Sequence, residues 1–155
     1  MAKLQGPVRQ ENVISFVADI SNDGQVSTIT FRNLEVSVQG KNTAVVATQV
    51  TTLTLPIIEH VSDLHVRLII QGFALTQSGS RALLVAHLGD TTVFRDFAPN
   101  FDESYQQVLD ATLPAGVDAL TTLFLLAERN DEQQGVDLNV LSLDYSLDEL
   151  KSGKA

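Results

Sequence analysis

Cysteine is absent from the 155 residues, which excludes disulfides, thiolate metal sites and thiol nucleophiles together. Tryptophan is absent too, and there are only two tyrosines, Tyr105 and Tyr145. The flat aromatic platforms on which the C–H face of a sugar stacks are therefore scarce. No apolar run approaches the ~18 residues of a membrane-crossing helix. Nor does an apolar stretch of about 7 to 15 residues follow Lys3 and Arg9, so no secretory signal is read and the sequence assigns no compartment.

Positive charge is sparse and unevenly placed. All 19 acids lie within residues 11–150, against six bases there (Arg32, Lys41, Arg67, Arg81, Arg95 and Arg129). Lys3, Arg9, Lys151 and Lys154 make the ends basic. An acidic body of this kind repels a phosphate backbone, so no nucleic-acid partner is expected.

Catalytic signatures are missing as well. The chain holds no Gly-x-Ser-x-Gly elbow and no Gly-rich phosphate loop. Its three histidines, His60, His65 and His87, lack the i, i+2 or i, i+4 spacing that places two imidazoles on one metal, including the His-x-His pair of a cupin-type metal enzyme. His65 and His87 could meet only if their strands are neighbours. No enzyme is expected.

What the sequence does have is period-two alternation rich in Val, Ile and Thr along almost its whole length, the signature of half-buried strands. With 44% hydrophobic and 19% charged residues it has the composition of a globular chain, and 155 residues suit one domain. The expectation is a single all-β domain over 1–155, with short basic tails at about 1–10 and 151–155. Its form is an antiparallel β-sandwich of nine or ten strands, with the jelly roll as candidate topology.

Several strands can be placed. One near Asn12 to Ala18 ends at the Ser21–Gly24 turn "SNDG". In "VSTITFRNLEVSV" the apolar parity flips at Arg32-Asn33, which calls for a bulge or a sharp bend. Pro56 ends the strand or strands of "AVVATQVTTLTL". Residues 64–97 suggest a three-stranded meander, with Gly89-Asp90 as a type II′ hairpin turn. "ESYQQVLDATLP" fits helix or strand, and Pro114 with the turn after it favours a strand.

The closing segment "VDLNVLSLDYSL" places Leu138 and Val140 on one parity and Leu141, Leu143, Tyr145 and Leu147 on the other. Either a bulge near Val140-Leu141 brings them to one side, or the strand passes from one covered face to another, by an edge-to-corner path across the sandwich within one domain or with one face on its own core and the other on a neighbouring subunit.

Two candidate sites follow. Asp96, Asn100, Asp102 and Glu103 form an oxygen-rich stretch that could ligate Ca²⁺ if enough ligands converge. His65, Arg67 and Gln71 on the polar face of one strand, with Tyr105, would serve a small molecule or carbohydrate. "VFRDFAPNF" is either core or an exposed apolar patch for a partner. The leading expectation is a non-enzymatic, self-associating structural protein such as a coat, decoration or filament subunit, whose partner is its own copy or another protein. The alternative is a ligand-binding module of the kind just described, with calcium assisting.

Overall fold

The computed structural model describes residues 1–9, 15–40, 45–130 and 134–149. These form twelve strands: β1 (Lys3–Leu4), β2 (Val8–Arg9), β3 (Phe16–Ile20), β4 (Val26–Val38), β5 (Val46–Leu55), β6 (Ile57–Ile58), β7 (Leu64–Leu75), β8 (Ser80–Leu88), β9 (Thr91–Phe97), β10 (Asp102–Leu113), β11 (Ala119–Arg129) and β12 (Val136–Glu149). Two five-stranded antiparallel sheets carry the fold, in the orders β10-β7-β12-β4-β3 and β2-β5-β11-β8-β9, with β1 and β6 as a small third pair. No helix among the described residues is long and apolar enough to cross a membrane.

The order of the eight long strands is that of a jelly roll. Counted along the chain from β4 and omitting the short β6, the first sheet runs first, eighth, third, sixth and the second runs second, seventh, fourth, fifth. Among these eight strands every link except the β8–β9 hairpin crosses from one sheet to the other. The three-stranded meander expected over 64–97 is therefore corrected: β8 and β9 pair, but β7 lies in the opposite sheet between β10 and β12. Alternation reports which face of a strand is covered and says nothing about which strand lies beside it. The Thr76–Gly79 link carries the chain across the sandwich, anchored by Thr76 Oγ1 donating to Ala98 O (2.6 Å) and Thr76 N donating to Phe101 O (2.8 Å).

The core lies between the sheets. Leu64, Val66, Leu68 and Ile70 of β7 and Leu138, Val140, Leu143 and Tyr145 of β12 face Leu53 and Leu55 of β5, Leu84 and Leu88 of β8, and Leu123 and Leu125 of β11. Tyr145 spans the layers: its hydroxyl donates to Thr121 Oγ1 at 2.7 Å, so a buried phenol finds a partner in the facing sheet. Burial pushes the Tyr145 phenol well above its ordinary pKa.

Both expected bulges are present, and they sit together. Val140 pairs with Leu34 of β4 and Gly72 of β7, while Ser142 pairs with Thr30 and Gln71. Across that interval β12 inserts Leu141, β4 inserts Phe31, Arg32 and Asn33, and β7 inserts nothing. The extra residue turns Leu138 and Val140 on one side, and Leu143, Tyr145 and Leu147 on the other, toward the same core. Leu141 itself points out, 51% exposed. β12 is therefore covered on one face only, and its outer face is polar with Asp137, Asn139, Ser142, Asp144 and Ser146. Contrary to the two-face expectation, β12 needs no neighbouring subunit to cover Leu138, Val140, Leu143, Tyr145 and Leu147.

The bulge strands the backbone carbonyl of Asn139, and the fold answers with Tyr105, whose hydroxyl donates to Asn139 O at 2.7 Å. The Asn139 side chain in turn accepts from Phe73 N at 2.8 Å. Gly72 faces this knot: a Cβ there would run into Asn139 O and, at 2.7 Å, the Tyr105 hydroxyl.

The N-terminal segment is more than a basic tail. Ala2 and Leu4 are buried, Leu4 N donates to Gly24 O at 2.8 Å, and Val8–Arg9 pairs with β5. Residues 12–14 of the first expected strand and the tail at 151–155 lie outside the described residues.

Candidate functional site

In most strands of a two-layer sandwich the outward residues are polar. β11 and β8 break this rule. Both contain unbroken apolar runs, Leu123–Ala127 and Ala82–Ala86, so after Leu123, Leu125 and Ala127, and Ala82, Leu84 and Ala86, have entered the core, Phe124 and Leu126, and Leu83 and Val85, are left outside.

Strand register aligns these side chains with others from the sheet's flanks. Val50, Phe124, Val85 and Phe94 are consecutive partners across β5, β11, β8 and β9, giving a row of alternating Val and Phe at right angles to the strands. Val50 is 51% and Phe94 69% exposed, and Phe124 and Val85 are half-buried. The next row is Thr48, Leu126, Leu83 and Asp96. Beyond it lie Val46, Glu128 and Arg81, and on the opposite side Thr52, Thr122, His87 and Thr92.

Charge appears only at the borders of this face. Arg81 Nε lies 3.2 Å from Asp96 Oδ1 and Arg81 Nη1 lies 3.3 Å from Glu128 Oε1. These acids, Asp96 foremost, hold the Arg81 guanidinium above its already high ordinary pKa. At the other border His87 Nδ1 lies 2.7 Å from Thr92 Oγ1.

The outer face of the other sheet also carries apolar side chains, among them Val17, Ile69, Phe73, Val108 and Leu141, but polar and charged groups are interleaved with them. Arg67 donates to Asp110 at 2.8 Å, with His65 Nε2 3.4 Å from the same carboxylate. That Arg67 bond holds the Asp110 carboxyl below its ordinary range. Asp144 accepts from Thr28 Oγ1 at 2.7 Å and from Gln71 Nε2 at 3.4 Å. A shallow hollow here is lined by His65, Arg67, Ser146 and Asp148.

The residues singled out in the sequence separate accordingly. His65, Arg67 and Gln71 do share the outer face of β7, but Tyr105 does not join them: it is 5% exposed, packed edge-on against Phe97 with ring centroids 4.9 Å apart. Tyr105 pairs across the ladder with Gly72, whose missing side chain leaves room for the ring to turn inward. His65 and His87 lie on opposite outer faces and cannot meet.

The calcium set does not converge either. Asp96 projects from the outer face of β9 onto Arg81, Asn100 occupies the turn with a positive φ of 65°, and Asp102 and Glu103 are exposed at the start of β10. Among the described residues no group of three or more His, Asp or Glu side chains is placed to hold a metal ion. In "VFRDFAPNF" the two readings divide between residues, with Phe97 buried, Phe101 packed at the core's edge and Phe94 outside. The row was readable in part: "LFLLA" and "ALLVA" are apolar on both parities, which is the mark of a strand wanting cover on both faces. Sequence alone could not show that their outward members stand side by side.

No protein-family description matches the chain. No curated protein matches it either. Among solved structures it is similar to a bacterial lipoprotein from Bacteroides thetaiotaomicron, at 12% identity over 93% of this chain and 96% of that one, with a TM-score of 0.40. A likeness at that level carries no argument about function.

Proposed function

We propose that the protein is a non-enzymatic structural or interaction subunit that works by self-association, as a coat, decoration or filament subunit does, through the outer face of the β5-β11-β8-β9 sheet. The observation that carries this reading is the row Val50, Phe124, Val85 and Phe94 with Leu126 and Leu83 beside it, an apolar band across four strands in an otherwise acidic molecule. Each such side chain gains roughly 1.5 to 3 kcal/mol on full burial, and less for the share already covered. A few of them closing together offset the cost of association. The jelly roll itself does not bear on function, because many activities share it.

Light scattering or sedimentation over a wide range of protein concentration tests the reading. Average mass should rise with concentration, and Phe124→Asp should return it to that of the single chain. A wild-type protein that stays a single chain at millimolar concentration overturns the proposal.

A second reading, a small-molecule or carbohydrate-binding module, rests on the hollow formed by His65, Arg67, Ser146 and Asp148. It supplies hydrogen-bonding groups on a sheet face but no aromatic platform. A rise in melting temperature with a sugar or small acid, abolished by Arg67→Ala, would favour it.

A further inference from the structure

The arrangement of the outer face specifies how a second copy would lie on it. Two faces stacked by a two-fold axis that runs along the strands, midway between β11 and β8, place β5 over β9 and β11 over β8 of the other copy. That operation reverses the order of every transverse row. Applied to Val50, Phe124, Val85, Phe94, it sets each Phe over a Val and each Val over a Phe. In the adjacent row Leu126 meets Leu83 and Thr48 meets Asp96. One row further, Glu128 meets Arg81, opposite charges in both directions. On the other side Thr122 meets His87 and Thr52 meets Thr92, hydrogen-bonding groups on hydrogen-bonding groups.

A face built for an unrelated partner has no reason to be complementary to its own reversal, whereas an isologous interface must be. The alternative two-fold, along the Val-Phe row, does less well. It lays Phe on Phe and Val on Val, sets Leu83 under His87, and leaves Arg81 and Glu128 no charged counterpart. Size is adequate as well. Four strands about 4.8 Å apart and four rows spanning about seven residues at ~3.4 Å each give on the order of 450 Å² of projected face, and side-chain relief raises the accessible area toward the lower end of specific interfaces.

We infer that two copies of this chain pack the outer faces of their β5-β11-β8-β9 sheets together about a two-fold axis parallel to the strands, forming a closed four-layer dimer with Phe124 over Val85 and Phe94 over Val50. This rests on the self-association proposed above and adds its geometry. The dimer is the building unit, and any larger assembly uses other surfaces.

The cysteine-free background makes the geometry directly testable. Thr52 and Thr92 are three strands apart in one chain, roughly 14 Å, but face each other across the inferred interface. Chains carrying only Thr52→Cys are mixed with chains carrying only Thr92→Cys and treated with a two-carbon bis-maleimide. The mixture should give covalent dimers, and either variant alone at least tenfold less. Phe94→Asp, at a position exposed in the single chain, should weaken dimerisation at least tenfold by sedimentation with an unchanged far-UV spectrum. Associating protein that cross-links equally well within one variant, or not at all in the mixture, overturns this geometry while self-association stands. A protein that remains a single chain at every concentration overturns both.

Discussion

Gly72, Tyr105 and Asn139 form the most sharply specified point in the molecule. A bulge in β12 leaves a carbonyl without its ladder partner, a phenol from the edge strand β10 supplies the missing donor, and a glycine between them leaves the space. The knot sets two different penalties. Tyr105→Phe keeps the ring packing and removes only the donor, so the buried carbonyl is left unsatisfied at a cost of about 1 to 2 kcal/mol. Gly72→Ala puts a methyl group into backbone, which a sheet cannot relieve by a rotamer change, and should cost about 3 kcal/mol or more. Urea titrations of both variants should rank them in that order, and equal costs would mean that the backbone at the bulge yields easily.

Strand existence and facing were legible because side-chain parity is a local property. Val26–Val38 was marked by its own alternation, the parity flip at Arg32-Asn33 announced its bulge, and Gly89-Asp90 its tight turn, in which Gly89 has φ of 59°. Strand neighbours were not legible, since the jelly roll is assembled from links that cross between sheets and alternation is blind to them. The candidate surface was hidden for the same reason: Val50, Phe124, Val85 and Phe94 come from four separate segments, and only register unites them. The bulge in β12 gives this scale its own test. Leu141 is exposed, so Leu141→Ser should be nearly neutral, whereas deleting Leu141 puts Leu143, Tyr145 and Leu147 on the outer face or Leu138 and Val140 with Val136 there instead. The deletion variant should lose its cooperative thermal transition while Leu141→Ser keeps it.

Turns contribute at this scale too. Asp90 accepts hydrogen bonds from Thr112 N and Thr91 Oγ1, and Asp23 from Ser21 Oγ and Gln25 N, and these bonds hold both carboxyls below their ordinary value of 3.8. A carboxyl whose pKa is lower folded than unfolded stabilises the fold fully above the unfolded value and loses that contribution as pH falls through the folded one. Melting temperature should therefore decline below about pH 4, and Asp90→Asn should show a shallower decline than the parent chain over the same range. An identical slope in both would remove Asp90 as a contributor.

At the scale of the whole molecule two features oppose each other. The chain carries a formal charge of −9, and the face proposed for association is apolar at its centre, with ion pairs only at its borders. Bringing two such bodies together confines like charge within about one Debye length, roughly 10 Å at 0.1 M salt, so repulsion limits the affinity at low ionic strength. The border pairs of Arg81 with Glu128 and Asp96 are solvent-exposed and contribute little, so screening them loses little. Salt should accordingly tighten the dimer, and sulfate more than chloride, because it also strengthens apolar burial. Sedimentation at rising sodium chloride should give a falling dissociation constant in the parent chain and a weaker but more steeply salt-dependent dimer in Phe94→Asp, which adds a negative charge to each face. A constant that rises with salt would mean that charge pairs, rather than the Val-Phe row, hold the two copies together.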